Sequence, residues 1–186
     1  MVYKHYMSNP TSFEIERAVA FLTSARLVTD IARQKADHDL ELNGKSISVK
    51  FQAIAGRTGN LSVELLQEDT RTGKTIPGNF RLCTAEWVFF VVPAAAARLQ
   101  VLCFKHSVID QLLTSRRFRQ VGLTPERLEA NRRAGRRYDN AVSALLPLRE
   151  VATAATTSFS FSYEELLKEE KFRQFLTEHP CNQKMW

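Results

Sequence analysis

Two adjacent residues, Asn43 and Gly44, constrain this chain more than any others. They lie between two stretches of alternating character, residues 36–42 and 45–52. A two-residue type I′ turn needs φ > 0 at both central positions, and Asn-Gly supplies it. Such a turn sets the register of the strands on either side. Leu42 then faces Lys45, Asp39 faces Ser48 and Asp37 faces Lys50. Successive side chains alternate between the two faces of a strand. Asp37, Asp39 and Glu41 therefore share one face with Ser46, Ser48, Lys50 and Gln52, while Leu40 and Leu42 share the other with Ile47, Val49 and Phe51. One face packs; the other sets carboxylates beside a lysine.

Around this hairpin the pattern predicts a helix over residues 13–34, started near Asn9-Pro10-Thr11-Ser12, with apolar residues at helical spacing. Residues 53–58 read as a loop, 60–66 as a strand and 67–78 as a polar loop. Strands follow over 86–93, stopped by Pro93, and over 98–104. Helices are expected over 105–119, 125–137 and 163–178, the last with Ser162 as N-cap. Residues 141–151 return to apolar character, and 153–162 are rich in Ser and Thr, strand or linker. The order predicts an α/β fold in which a mixed sheet is covered by helices. A chain of 186 residues suits a single domain, 1–186. Its core spans 13–104, a basic helical region and return to the core 105–150, and a C-terminal strand or linker with a helix 151–186.

Hydrophobic residues make up 44% and charged residues 25%, an ordinary globular balance. The net charge of +6 is unevenly spread. Between Arg116 and Arg137 stand eight arginines and two acids, a surplus equal to that of the whole chain. The remainder is neutral on balance. Arg132-Arg133 and Arg136-Arg137 recur four apart, so a helix would carry them as one basic stripe. Such a stripe can be a solvated face, a site for acidic proteins, or a grip on nucleic-acid backbone. The planar guanidinium fork suits phosphate, which favours the last. Arg116, Arg117, Arg119, Arg132, Arg133, Arg136 and Arg137 are the candidate DNA-binding residues. The three cysteines are widely spaced and lack partner histidines, which argues against zinc and disulfide frameworks. No apolar leader precedes residue 10, and the longest apolar run, 87–97, is too short to span a bilayer and contains Pro93. A reducing, cytoplasmic setting without membrane is expected. His38 falls on the oily side and reads as a packed histidine; Glu14 and Glu16 on the first helix could approach the acidic face of the hairpin, though surface charges are the favoured reading.

Cleaving a phosphodiester needs a divalent cation, hard oxygen ligands to hold it, and a positive group to offset charge in the transition state. Asp39 and Lys50 on one hairpin face meet part of that need, and Asp37 is close enough to serve. The hairpin ending Ser48-Val49-Lys50 resembles the D…(D/E)xK signature of the PD-(D/E)xK nuclease superfamily. Three further stretches, TGNLSVEL (58–65), KTIPG (74–78) and AEWVFFVV (85–92), resemble a phage and mobile-element branch of it. The resemblance implies a restriction-endonuclease-like mixed sheet flanked by helices, with an added basic helical region. It further implies Mg²⁺ or Mn²⁺ as cofactor, DNA as substrate and, by analogy with enzymes that cut two strands with two copies, a homodimer. Asp39 would be the metal-binding aspartate, Lys50 the motif lysine that orients water, Glu64 the acid of the following strand and second metal ligand, and Gln52 a neighbour converging on them. Ser48 departs from the pattern, because it stands where a second acid belongs. Two readings follow: a metal-dependent DNA endonuclease whose acid has moved to Glu64, or an inactive module of the same fold that binds DNA or a protein partner.

Overall fold

The computed structural model describes residues 10–69, 72–95, 97–115, 118–122, 129–130, 133–134 and 140–180. Helix α1 (Ser12–Thr23) starts on a capping box: Thr11 accepts from the Glu14 amide, and the Glu14 carboxylate reaches back to the Thr11 amide. It ends at Ser24, whose left-handed backbone (φ 56) turns the chain away. The helix expected to run to residue 34 is therefore two pieces. A two-residue strand β1 (Arg26–Leu27) intervenes, and a short helix α2 (Ile31–Lys35) starts afresh on an Asp30 cap.

The hairpin forms in the expected register. Strands β2 (Leu40–Leu42) and β3 (Lys45–Phe51) pair antiparallel with Leu42 opposite Lys45 and Leu40 opposite Ile47. Asn43 and Gly44 take φ of 51 and 76, as the type I′ turn demands. Short helix α3 (Ala55–Thr58) occupies the expected loop and lies against Pro93, where the Gly56 Cα leaves no room for a side chain: an added Cβ would stand 2.5 Å from the Pro93 carbonyl oxygen. Strand β4 (Asn60–Asp69) runs longer than its apolar run suggests. It folds back through β5 (Lys74–Pro77), so the expected polar loop 67–78 is largely a hairpin. Helix α4 (Asn79–Leu82) leads to β6 (Trp87–Pro93) and β7 (Leu99–Lys105). Helix α5 (His106–Ser115) stops short of residue 119, and Arg119 begins a strand, β8 (Arg119–Val121). Next come β9 (Asn140–Pro147), α6 (Leu148–Ala152), β10 (Thr157–Phe161), α7 (Tyr163–Leu166) and α8 (Glu170–Glu178). The C-terminal helix is thus also broken in two, although Ser162 caps its start as expected.

The strands form two sheets. A mixed six-stranded sheet has the order β1-β2-β3-β6-β7-β10, with β3 and β6 parallel and the other pairs antiparallel. A four-stranded antiparallel sheet has the order β5-β4-β9-β8. One face of the larger sheet, with Leu40, Ile47, Val49, Phe89, Val91 and Val101, buries Ile15, Ala18 and Val19 of α1 and Phe172 of α8. The other face, with Val88, Phe90, Leu102 and Phe104, packs on Leu61, Val63, Ala144 and Leu146 of the smaller sheet and on Ile109 of α5. Residues 105–150 therefore supply half of the second sheet rather than an appendage. The apolar side of the hairpin packs under α1, which leaves Ser46, Ser48 and Lys50 turned toward the side of the second sheet. Among the described residues no helix is long and apolar enough to cross a membrane.

If the turn sets the register, Gly44→Val should destabilise the protein by about 1–2 kcal/mol, because a branched residue is strained at φ 76. Chemical denaturation measures it, and an unchanged midpoint would show that the turn is not what holds the hairpin.

Candidate active site

The ladder between β2 and β3 continues one residue past β2, through the Asp39 amide to the Ile47 carbonyl at 2.9 Å. Beyond that point the chain turns away toward α2, and the Val49 amide needs another acceptor. The Asp39 side chain provides it: Val49 N–H donates to Asp39 Oδ2 at 2.6 Å. The Asp39 carbonyl accepts from Val28 N–H at 2.9 Å, so this residue is held on both sides. Burial pushes its carboxyl up from 3.8 to about 6, against the pull of the Val49 amide and the Lys50 ammonium.

Lys50 stands on the same strand, and its Nζ meets Asp37 Oδ2 at 2.6 Å. Asp37 itself sits just past α2 with a left-handed backbone, φ 63. Glu16 on α1, for which the sequence favours a surface position over an approach to the site, is pushed up from 4.5 to about 8. Burial is the main cause, the charge of Asp39 the next and that of Asp37 a lesser one, while Lys50 and Arg17 pull the other way. Ser48 is wholly buried, its hydroxyl beside Asp39 and Cys83 and favouring the ionised form of each. The stretch 83–86 packs over it: Glu86 N–H donates to Ser46 Oγ at 3.1 Å, and Thr84 N–H donates to the Ala36 carbonyl at 3.2 Å. His38 is half-buried, with Nε2 at 2.9 Å from Thr84 Oγ1.

Two expected members stand elsewhere. Glu64 lies on the face of β4 opposite Leu61 and Val63, the residues that pack toward the larger sheet. Its Oε1 accepts from Gln67 Nε2 at 2.6 Å and from the Asn79 amide at 2.9 Å, so it caps the start of α4. Gly78 lies flat against the same point, where a Cβ would come within 2.8 Å of the Glu64 carbonyl oxygen. Glu64 is thus the seat of the Pro77-Gly78 turn and not a partner of Asp39. Gln52 is structural too: its amide group brackets the Ser62 backbone, donating to the carbonyl at 3.0 Å and accepting from the N–H at 3.2 Å, which ties β3 to β4. Alternation within one hairpin foretold the face shared by Asp39 and Lys50; the approach of Asp37 to Lys50 was expected as well, but it comes from the turn after α2 and not from the ladder. Glu16 needs the docking of α1 across the sheet, and no local signal carries that.

Of the candidate DNA-binding arginines, Arg116, Arg117, Arg132, Arg136 and Arg137 lie outside the described residues. Arg119 is exposed on β8 opposite Leu145, and Arg133 pairs with Glu129 at 3.1 Å.

No known protein family, curated protein or solved structure matches the chain. The donor set has therefore to be judged on its chemistry. Among the described residues no three His, Cys, Asp or Glu side chains gather as a metal cage. Mg²⁺ is commonly bound by one or two carboxylates, with waters and substrate phosphate completing its octahedron. Asp39, with Glu16 within electrostatic reach, supplies two carboxylates of that kind: both carry protons more readily than exposed acids do, and a dication would relieve the charge burial opposes. The buried Ser48 hydroxyl adds a neutral oxygen beside Asp39.

The raised acids make stability depend on pH. Between about 4.5 and about 8 the folded chain binds a proton at Glu16 that the unfolded chain releases. Its contribution is full below about 4.5 and is lost as pH rises through about 8. Glu16→Gln removes the penalty, so the variant should exceed the wild type in stability at pH 8.5 by on the order of 3 kcal/mol and converge with it near pH 5. Melting curves across that range check this; a variant less stable at both ends would contradict it.

Proposed function

We infer that the protein is a metal-dependent phosphodiester hydrolase acting on DNA, a nuclease with a restriction-endonuclease-like sheet. The observation that carries this reading is the Asp37–Lys50 ion pair at 2.6 Å beside Asp39, with Glu16 within electrostatic reach of all three and the carboxyls of Asp39 and Glu16 raised by burial. Pure stability gives no reason for such a cluster, since apolar side chains of similar volume would serve as well or better. Perturbed acids that share a cleft with a cation are the usual sign of a working site.

In this reading Glu16 and Asp39 would hold Mg²⁺ or Mn²⁺, with Glu16 in the place first assigned to Glu64. A bound dication would polarise the phosphoryl oxygen and lower the pKa of a water beside it. Lys50 presents a fixed ammonium to the negative charge that builds on phosphate oxygens in the transition state. The Val49 amide keeps one Asp39 oxygen in place and so orients the other. Gln52 and Glu64 act at a distance, by holding β4 and α4. The arginine-rich segment would grip the backbone without reading bases. A mobile-element origin and a homodimer remain part of the proposal on resemblance alone.

The second reading, a module that binds without cutting, draws its support from Ser48 in the acid position and from the lack of a three-ligand cage among the described residues. One assay separates the two. Supercoiled plasmid and single-stranded DNA are incubated with the protein in Mg²⁺ or Mn²⁺. Cleavage is expected to fall by about a hundredfold or more in Glu16→Gln, Asp39→Ala and Lys50→Ala. It should persist in Glu64→Gln, measured at a temperature where that variant is folded. Cleavage that survives Asp39→Ala is contamination, and DNA binding without any cleavage favours the module.

The arginine segment has its own test. If it makes six phosphate contacts, affinity for duplex DNA should drop about 10³-fold between about 50 and 200 mM salt. A flat response in a binding titration removes the backbone-gripping role.

A further inference from the structure

Asp37 has no place in the pair of carboxylates that would hold a cation, and its charge works against them, raising both Asp39 and Glu16. A third acid at such a point needs a reason of its own. Its backbone is left-handed, φ 63, a conformation that disfavours most side chains. The segment is nonetheless held firmly. Asp37 N–H donates to the Gln34 carbonyl at 3.0 Å and His38 N–H to the Arg33 carbonyl at 3.0 Å. The Ala36 carbonyl accepts from Thr84, and the His38 ring meets the Thr84 hydroxyl. All this fixes one carboxylate, and its partner is the Lys50 ammonium at 2.6 Å, with both side chains about three-quarters shielded from solvent (26% exposed). The positive charge of Lys50 acts on both Asp39 and Glu16. Without that anchor, the ammonium remains in the field of two further carboxylates, Asp39 beside its own strand and Glu16 on α1.

We propose that Asp37 is a positioning residue that holds the Lys50 ammonium off Asp39 and Glu16, leaving those carboxylates to a divalent cation and the ammonium to the substrate phosphate. This rests on the metal-dependent reading of the same site. Loss of the Asp37 carboxylate lets Lys50 pair with a cation ligand and compete with the cation. The effect should therefore exist only while Lys50 is present, which is what separates positioning from a general structural role.

The test is a Mn²⁺ titration of the full chain, by calorimetry or by the electron paramagnetic resonance of free Mn²⁺, with thermal melts as a folding control. Asp37→Asn and Asp37→Gly both suit a left-handed backbone, and glycine relieves the strain outright, so one of the two is expected to fold even if the other does not. Each should weaken Mn²⁺ binding by about tenfold or more, the range seen when a group that orients a site is lost. Asp37→Glu should restore most of it. Lys50→Met should bind at least as tightly as the wild type, and adding Asp37→Asn or Asp37→Gly to it should change affinity by less than about twofold. Variants that bind Mn²⁺ like the wild type, or that lose affinity equally with Lys50→Met in place, overturn the role of Asp37 alone. A wild type that binds no Mn²⁺ at millimolar concentration overturns the metal reading and this inference with it.

Discussion

The bond from the Val49 amide to the Asp39 carboxylate is the joint on which the rest of the site depends. A strand amide left without a partner inside a protein costs about 1–3 kcal/mol. β3 runs past the end of β2, so one such amide is exposed to that penalty. A carbonyl would ordinarily satisfy it. Here a side chain does, and the acid is thereby fixed at the fork where the chain leaves the sheet. Its position then dictates its neighbours. Lys50 is the next residue on β3, Asp37 lies two residues back at the turn after α2, and Glu16, on the helix that covers the sheet's apolar face, lies within electrostatic reach of them. One hydrogen bond thus fixes an acid at the hairpin edge beside the Asp37–Lys50 ion pair.

That point opposes folding. Burial of Glu16 and Asp39 raises both carboxyls, which is a free-energy cost at neutral pH. Proteins keep such strain where function needs it. Ser48 takes on sense in the same light. It is wholly buried under the stretch that follows α4, next to Cys83. A carboxylate at that position would add another enclosed negative charge with no cation beside it except the one already bonded to Asp37. A serine fills the space with a neutral hydroxyl instead.

What was legible in the sequence is what short-range chemistry decides. Asn43-Gly44 specified the turn, the turn specified register, and alternation then assigned Leu40, Ile47 and Val49 to the core and Asp39 and Lys50 to the other face. Sheet strands with strong apolar runs, 87–93 and 99–105, were legible for the same reason. Three things were not. The helical spacing of residues 13–34 continues through Ser24, yet the chain breaks there because β1 can pair with β2, a gain visible only in three dimensions. Strand β5 is polar and ends in proline, as a sheet edge should, and such an edge reads as loop. The surroundings of Glu64 and Glu16 are the third: Glu64 accepts from the Asn79 amide at the start of α4, and Glu16 is brought within electrostatic reach of Asp39 by the docking of α1 on the larger sheet. Order and spacing along the chain cannot report either.

The most direct measurement is diffraction from crystals soaked in Mn²⁺, with the anomalous signal of manganese used to locate the ion. The account predicts a peak within coordination distance of both Glu16 and Asp39, with the Lys50 ammonium still on Asp37. A peak beside Glu64, or none at concentrations that support cleavage, would contradict it.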